Sequence, residues 1–222
     1  MELYEAMRTT FAARQFTGEP MPDAVLYRIL DNARFAPSGG NRQGWRVIVV
    51  RERRTREALV ELTLPGARRY AAQAAAGESP WNTIVPTSLD AATIERTQVP
   101  ERITQPLLDA AVVLVVCVDL KVVASVDQHL DRVGVASGAS IYPFAWNILL
   151  AARSEGFGGT ITTLALPEEQ KLKELFGIPS DVAVCAVMPL GRPTAQLTKL
   201  RRRKVEEFTA RERWAGPPLT QH

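Results

Sequence analysis

The first apolar repeat is Leu3 and Met7, which predicts a short helix over residues 2–10. Pro22 is placed as a first-turn proline, and Val25, Leu26, Ile29, Leu30 and Ala33 predict an amphipathic helix. It ends near Ala36, because Pro37 disfavours helical geometry in the residue before it. Residues 45–50 read as a strand. Residues 52–76 read as a charged, then Ala-rich helix with a candidate break at Pro65-Gly66. The β-branched run at 111–120 predicts a buried central strand. Residues 134–155 predict a long buried helix with Pro143 at an entry or kink. Ile141, Phe144, Ala145, Ile148, Leu149 and Ala152 recur at helical spacing, while Tyr142, Trp146 and Leu150 make the other side apolar. A helix apolar all round is buried on all sides, in a core or a subunit interface. An extended piece at 158–163, a helix at 167–176 and a third strong strand at 182–190 follow. Residues 77–104, broken by Gly77, Pro80, Pro86 and Pro100, read either as an irregular lid or as a partly disordered insert. From about 211 the chain reads as an extended tail. Helices and strands mix without strict βαβ alternation, so the expected class is α+β: a sheet wrapped in helices, within one domain over 1–222.

Composition changes this picture little. The chain has 222 residues, 46% hydrophobic and 23% charged, an ordinary globular balance. Its net charge of +3 is unevenly placed: from Gly191 onward eight Lys or Arg stand against three Glu. Positive charge gathered near one end points to an anionic partner. Nucleic acid needs a wider basic footprint with stacking aromatics, and none is visible, so no nucleic-acid partner is expected. Cys117 and Cys185 lie inside apolar runs and read as buried hydrophobes of a reducing compartment, with no CxxC or metal-ligand spacing. The two histidines, His129 and His222, leave only His129 for a zinc site or a hydrolytic triad. The N-terminus has no apolar signal region, and no apolar run reaches the ~20 residues of a membrane span. A soluble, cytoplasmic protein is expected.

Two stretches carry candidate chemistry. In residues 149–164, LLAARSEGFGGTITTL, the apolar helix breaks at Gly156 and passes through Gly158 and Gly159 into a Thr-rich run. One reading is a glycine C-cap followed by a strand. The other is a turn whose backbone N–H groups approach a flat ligand. Residues 36–45, APSGGNRQGW, set Ser38, Asn41, Arg42 and Gln43 among three glycines, a loop rich in hydrogen-bonding groups or simply a solvated turn. GxGxxG and the Walker A lysine motif are absent.

Taken in order, an arginine segment before Phe16, the APSGGNRQGW loop, the helix and glycine turn, and an Arg-rich segment before Val205-Glu206-Glu207-Phe208 resemble the nitroreductase family of FMN-dependent oxidoreductases over nearly the whole chain. The resemblance implies a central mixed, mostly antiparallel sheet flanked by helices, and an obligate homodimer with the long helix at its interface and FMN bound by residues of both subunits. It implies hydride transfer from NADH or NADPH to flavin N5, then by a ping-pong mechanism to a small acceptor such as a nitroaromatic or quinone. Carried over, Arg14 sits at the flavin N1 and O2 edge. Ser38, Asn41 and Gln43 hold the ribityl chain or ring. Backbone N–H groups of Gly158, Gly159 and Thr160 face N5 and O4. Two of Arg201, Arg202 and Arg203 hold the phosphate. No metal and no protein acid–base residue is implied.

One departure stands out. Where the family carries Arg and Ser before its next arginine, this chain has Phe11 and Ala12. Arg8 is the nearby cation that could replace the lost contact. The departure keeps an alternative open, a flavin-binding or flavin-free non-catalytic relative; a third is the same flavin site used for dehalogenation or flavin fragmentation.

Overall fold

The structure, a computed structural model, describes residues 1–221; His222 lies outside them. Its frame is a four-stranded sheet in the order β1-β2-β4-β3, with β1 at Trp45–Val50, β2 at Val112–Asp119, β3 at Gly158–Gly159 and β4 at Val182–Gly191. Every pairing within it is antiparallel. The expected mixed character survives only as an isolated parallel bridge between Ala12 and Gly159. The β-branched run put β2 in the centre: Val112 to Cys117 are all buried, because both sheet faces are covered.

Among the described residues seven α-helices surround the sheet: α1 (Leu3–Thr9), α2 (Asp23–Ala33), α3 (Arg53–Ala75), α4 (Ala91–Arg96), α5 (Glu101–Asp109), α6 (Tyr142–Ser154) and α7 (Glu169–Phe176). One core joins α2 and α6 to Val112, Leu114 and Val116; the other joins Leu59, Leu107 and Leu172 to Val113, Val115 and Val187. The sheet's two-residue period sorts these valines to opposite faces. It separates the cysteines too, Cys117 facing the second core and Cys185 the first. Burial pushes the Cys117 thiol up to about 11 and the Cys185 thiol up to about 12.

Two helices differ from expectation. Helix α3 runs unbroken through Pro65. Pro65 is exposed, and Gly66 beside it leaves room for a close approach: a Cβ there would strike the Leu164 carbonyl oxygen. The expected 134–155 helix is shorter, because residues Ala136–Ser140 form a 3-10 turn and α6 starts with Pro143 in its first turn. Within one chain α6 is covered on one side only. Phe144, Ala145, Ile148, Leu149 and Ala152 face the core, while Tyr142 and Trp146 remain 43% and 39% exposed.

The insert is only partly irregular, since it carries α4 and the first turn of α5. Its opening segment is tied by one carboxylate. Glu78 accepts hydrogen bonds from Gln73, Thr87 and both the N–H and hydroxyl of Ser88. These hold its pKa down to about 2. The C-terminal segment is not simply extended: the Arg211 N–H donates to the Pro217 carbonyl, closing a turn there.

Candidate functional site

The glycine turn is first a helix stop. Gly156 adopts φ +80, its N–H donates to Arg153 O and the Phe157 N–H to Ala152 O, a Schellman cap that ends α6. Gly158 and Gly159 then pair with Gly191 and Leu190 of β4. Their glycine character has a packing cause. A Cβ on Gly159 would strike Pro189 O, and one on Gly158 would press on Pro193 and Ala13. The C-cap-and-strand reading therefore describes Gly156 to Gly159, and Thr160, the first residue past the ladder, is where this run reaches a cavity.

The first motif docks onto this turn. Ala12 bridges Gly159, and the Ala13 N–H donates to Gly159 O at 2.9 Å. Gln15 and Phe16 are fastened to the end of β4 through Thr194 and Pro193. Two stretches about 145 residues apart in sequence are thus registered residue by residue. The small side chains at Ala12 and Ala13 suit that close contact. Thr10 is buried and its hydroxyl is spent on Ala6 O. Arg8 lies over the Tyr4 ring on α1 and does not line the cavity.

Arg14 and Thr160 share a cavity of about 920 Å³. Its floor is the Thr160–Leu164 run, and its far wall is Tyr70, Trp81, Arg102 and Pro106. Arg14 and Arg102 are its only charged lining residues, and neither forms an ion pair among the described residues. Arg14's hydrogen bond is a 3.3 Å contact to Ala12 O. A cavity of this size, with threonine hydroxyls beside apolar side chains and unneutralised cations, is suited to an anionic ligand. Trp81 and Arg102 come from the 77–104 segment for which a lid was one reading, while Tyr70, on α3, had no sequence signal.

Ser38, Asn41 and Gln43 do not line this cavity. Their loop is held by its own bonds and by the segment before α6. The Gln43 N–H donates to Ser38 Oγ at 3.0 Å, Gln43 Nε2 donates to Asn41 Oδ1 at 3.1 Å, and the Gly39 N–H donates to Ser140 Oγ at 3.1 Å. Trp45 stacks on Phe144 at 4.8 Å and anchors the loop's end. Asn41 and Gln43 both hold positive φ, 52 and 50. Such backbone is sparsely populated outside glycine and gathers at functional sites. Arg201, Arg202 and Arg203 are exposed and away from the cavity lining. Arg202 donates to Arg201 O, and Arg203 to Glu207 O. Arg192, counted among the C-terminal cations, is engaged with Glu19, Gly156 O and the Phe157 ring.

The fold and cavity define an α+β domain with a polar loop and an arginine-lined pocket on separate parts of one chain. Residues 7–192 match the Nitroreductase family. The chain belongs to the nitroreductase family, and so to the flavin-dependent oxidoreductases. It is 28% identical over 184 residues to an NADH dehydrogenase from Thermus thermophilus, covering 82% of each chain. The fold is shared with iodotyrosine deiodinase solved with FMN and 3-iodo-L-tyrosine, at a TM-score of 0.67 and 21% identity over 92% of this chain and 96% of that one. It is shared also with the NADPH:FMN oxidoreductase from Vibrio harveyi solved with NAD+, at 0.61 and 20% over 90% and 72%.

Proposed function

We propose that the chain is a cytoplasmic FMN-dependent NAD(P)H oxidoreductase that acts as a homodimer and reduces a nitroaromatic, quinone or related small acceptor by alternating half-reactions. The observation that carries this reading is the division of the candidate residues. Arg14 and Thr160 line one cavity, while Ser38, Asn41 and Gln43 sit on a strained loop elsewhere. The exposed Tyr142 and Trp146 on α6 supply an apolar face for a second copy. Two copies related by a twofold axis pair the cavity of one with the loop of the other, twice.

The residues fit FMN. Arg14 offers an unneutralised cation to the N1 and O2 edge, where negative charge develops on reduction. Ser38, Asn41 and Gln43 offer donors and acceptors to the ribityl chain. The turn at Gly158, Gly159 and Thr160 brings backbone to the ring edge, and two of Arg201, Arg202 and Arg203 take the phosphate. Bound flavin supplies hydride acceptance and donation; the protein positions it and tunes its charge.

A second reading, a relative that holds no flavin, is favoured by Phe11 and Ala12. The deciding experiment is the visible spectrum of the protein after FMN addition and desalting, with the molar mass measured on the same sample. About one flavin per chain on a dimer supports the oxidoreductase. A colourless monomer overturns it.

A further inference from the structure

The far wall of the cavity is not used by any flavin contact assigned above, yet it is constructed with care for one side chain. Trp81 holds φ 57, a strained backbone for a bulky residue. Its N–H donates to Gln73 Oε1 at 3.1 Å, and Gln73 is itself 2% exposed and fixed to Glu78. The Arg69 guanidinium lies 4.3 Å from the centre of the Trp81 ring. Despite these restraints Trp81 is 38% exposed and belongs to neither core. A large ring pinned at a strained position and left partly open to the cavity serves recognition better than folding.

Arg102 lines the same wall. It occupies the first turn of α5, where the helix dipole disfavours a cation, and it has no ion pair among the described residues. No Asp or Glu lines the cavity. Helix stability gives no reason for an arginine there; an incoming anion does.

We propose that this wall selects a flat aromatic acceptor carrying an anionic substituent such as a carboxylate. Trp81 is the stacking surface, and Arg102 is the clamp that grips the anion through its planar fork. The inference rests on reading the cavity as the acceptor site of a flavoenzyme.

The test is calorimetric titration of the oxidised protein, without NAD(P)H, using 4-nitrobenzoate and its neutral isostere 4-nitrobenzamide. The wild type is expected to bind the carboxylate about tenfold more tightly than the amide, roughly one charge-assisted hydrogen bond. Arg102→Gln removes that preference and leaves amide binding within twofold. Trp81→Leu weakens both ligands together and keeps the preference. Equal wild-type affinities, or an Arg102→Gln variant that weakens both ligands alike, overturn the proposal. So does a variant that keeps 4-nitrobenzoate but loses NADP+, which would assign Arg102 to a dinucleotide phosphate. Flavin content is read on the same samples. A wild type without flavin defeats the oxidoreductase reading, while the charge preference still decides Arg102.

Discussion

The arginine-lined cavity and the Ser38–Gln43 loop are built by different means, although each rests on one carboxylate. The cavity is framed by strand register: Ala12 on Gly159, Gly159 against Pro189, Phe16 against Pro193. Beside it Glu78 ties the segment that carries Trp81. The loop has no ladder. It leans on Ser140, and the turn holding Ser140 is in turn tied by Asp127, which accepts from the Val135 and Ala136 N–H groups and from Arg132. Register makes the first region intolerant of added volume. A chain of single hydrogen bonds makes the second sensitive to the loss of one polar atom.

The largest expected effect is on the register. Gly159→Ala forces a methyl against backbone, which cannot swing aside as a side chain can. A loss of about 3 kcal/mol in urea unfolding is expected, the upper range for overpacking. Wild-type stability would show that β3 moves freely.

Next comes the relation between the two regions. Arg14→Ala and Asn41→Ala should each weaken FMN, the first by about 2 kcal/mol, the usual worth of a bond to a charged group. Mixed dimers of the two variants then regain wild-type affinity at half of their sites, because one site collects both defects and the other none. No recovery would place the whole site within a single chain. Smaller still is Ser140→Ala, which strips the partner from the Gly39 N–H. About 1 kcal/mol of stability should go, with looser FMN, while Arg14 contacts remain; protection of the Gly39 amide from hydrogen exchange reports it.

The two carboxylates give the mildest test, by pH. Both have pKa values lowered to about 2, from 4.5 for Glu78 and 3.8 for Asp127. Groups depressed in the folded state stabilise fully above their unfolded values and lose that contribution as pH falls toward 2. Glu78→Gln and Asp127→Asn should therefore flatten the acid limb of the stability curve and change little of its shape above pH 5. Titration of the two side-chain carboxyls by NMR near 4 would show that the knots do not hold.

Much of this frame was readable in advance. The valine run of β2, the period of α2 and the glycine stop after α6 are local signals, and local physics decided them. The candidate residues were legible only as a set of short stretches. What joined Arg14 to Thr160 was the Ala12–Gly159 bridge, a contact across the whole chain that no periodicity encodes. Pro65 misled because the cost of a helical proline depends on where its missing N–H points. The lid reading of 77–104 covered Trp81 and Arg102 without singling out either, since a bond to Gln73 places Trp81 and the start of α5 places Arg102, and neither residue type announces that from its neighbours.

The sheet's alternation also provides a clock. Cys117 and Cys185 lie under opposite faces, each with its thiol held protonated well above neutrality. They stay silent to alkylating reagents while the sheet is closed. Modification must wait for the layer above each one to lift. The pace at which each sulfur is labelled therefore reports the opening of its own side of the molecule, and unequal paces would reveal which covering of helices leaves first.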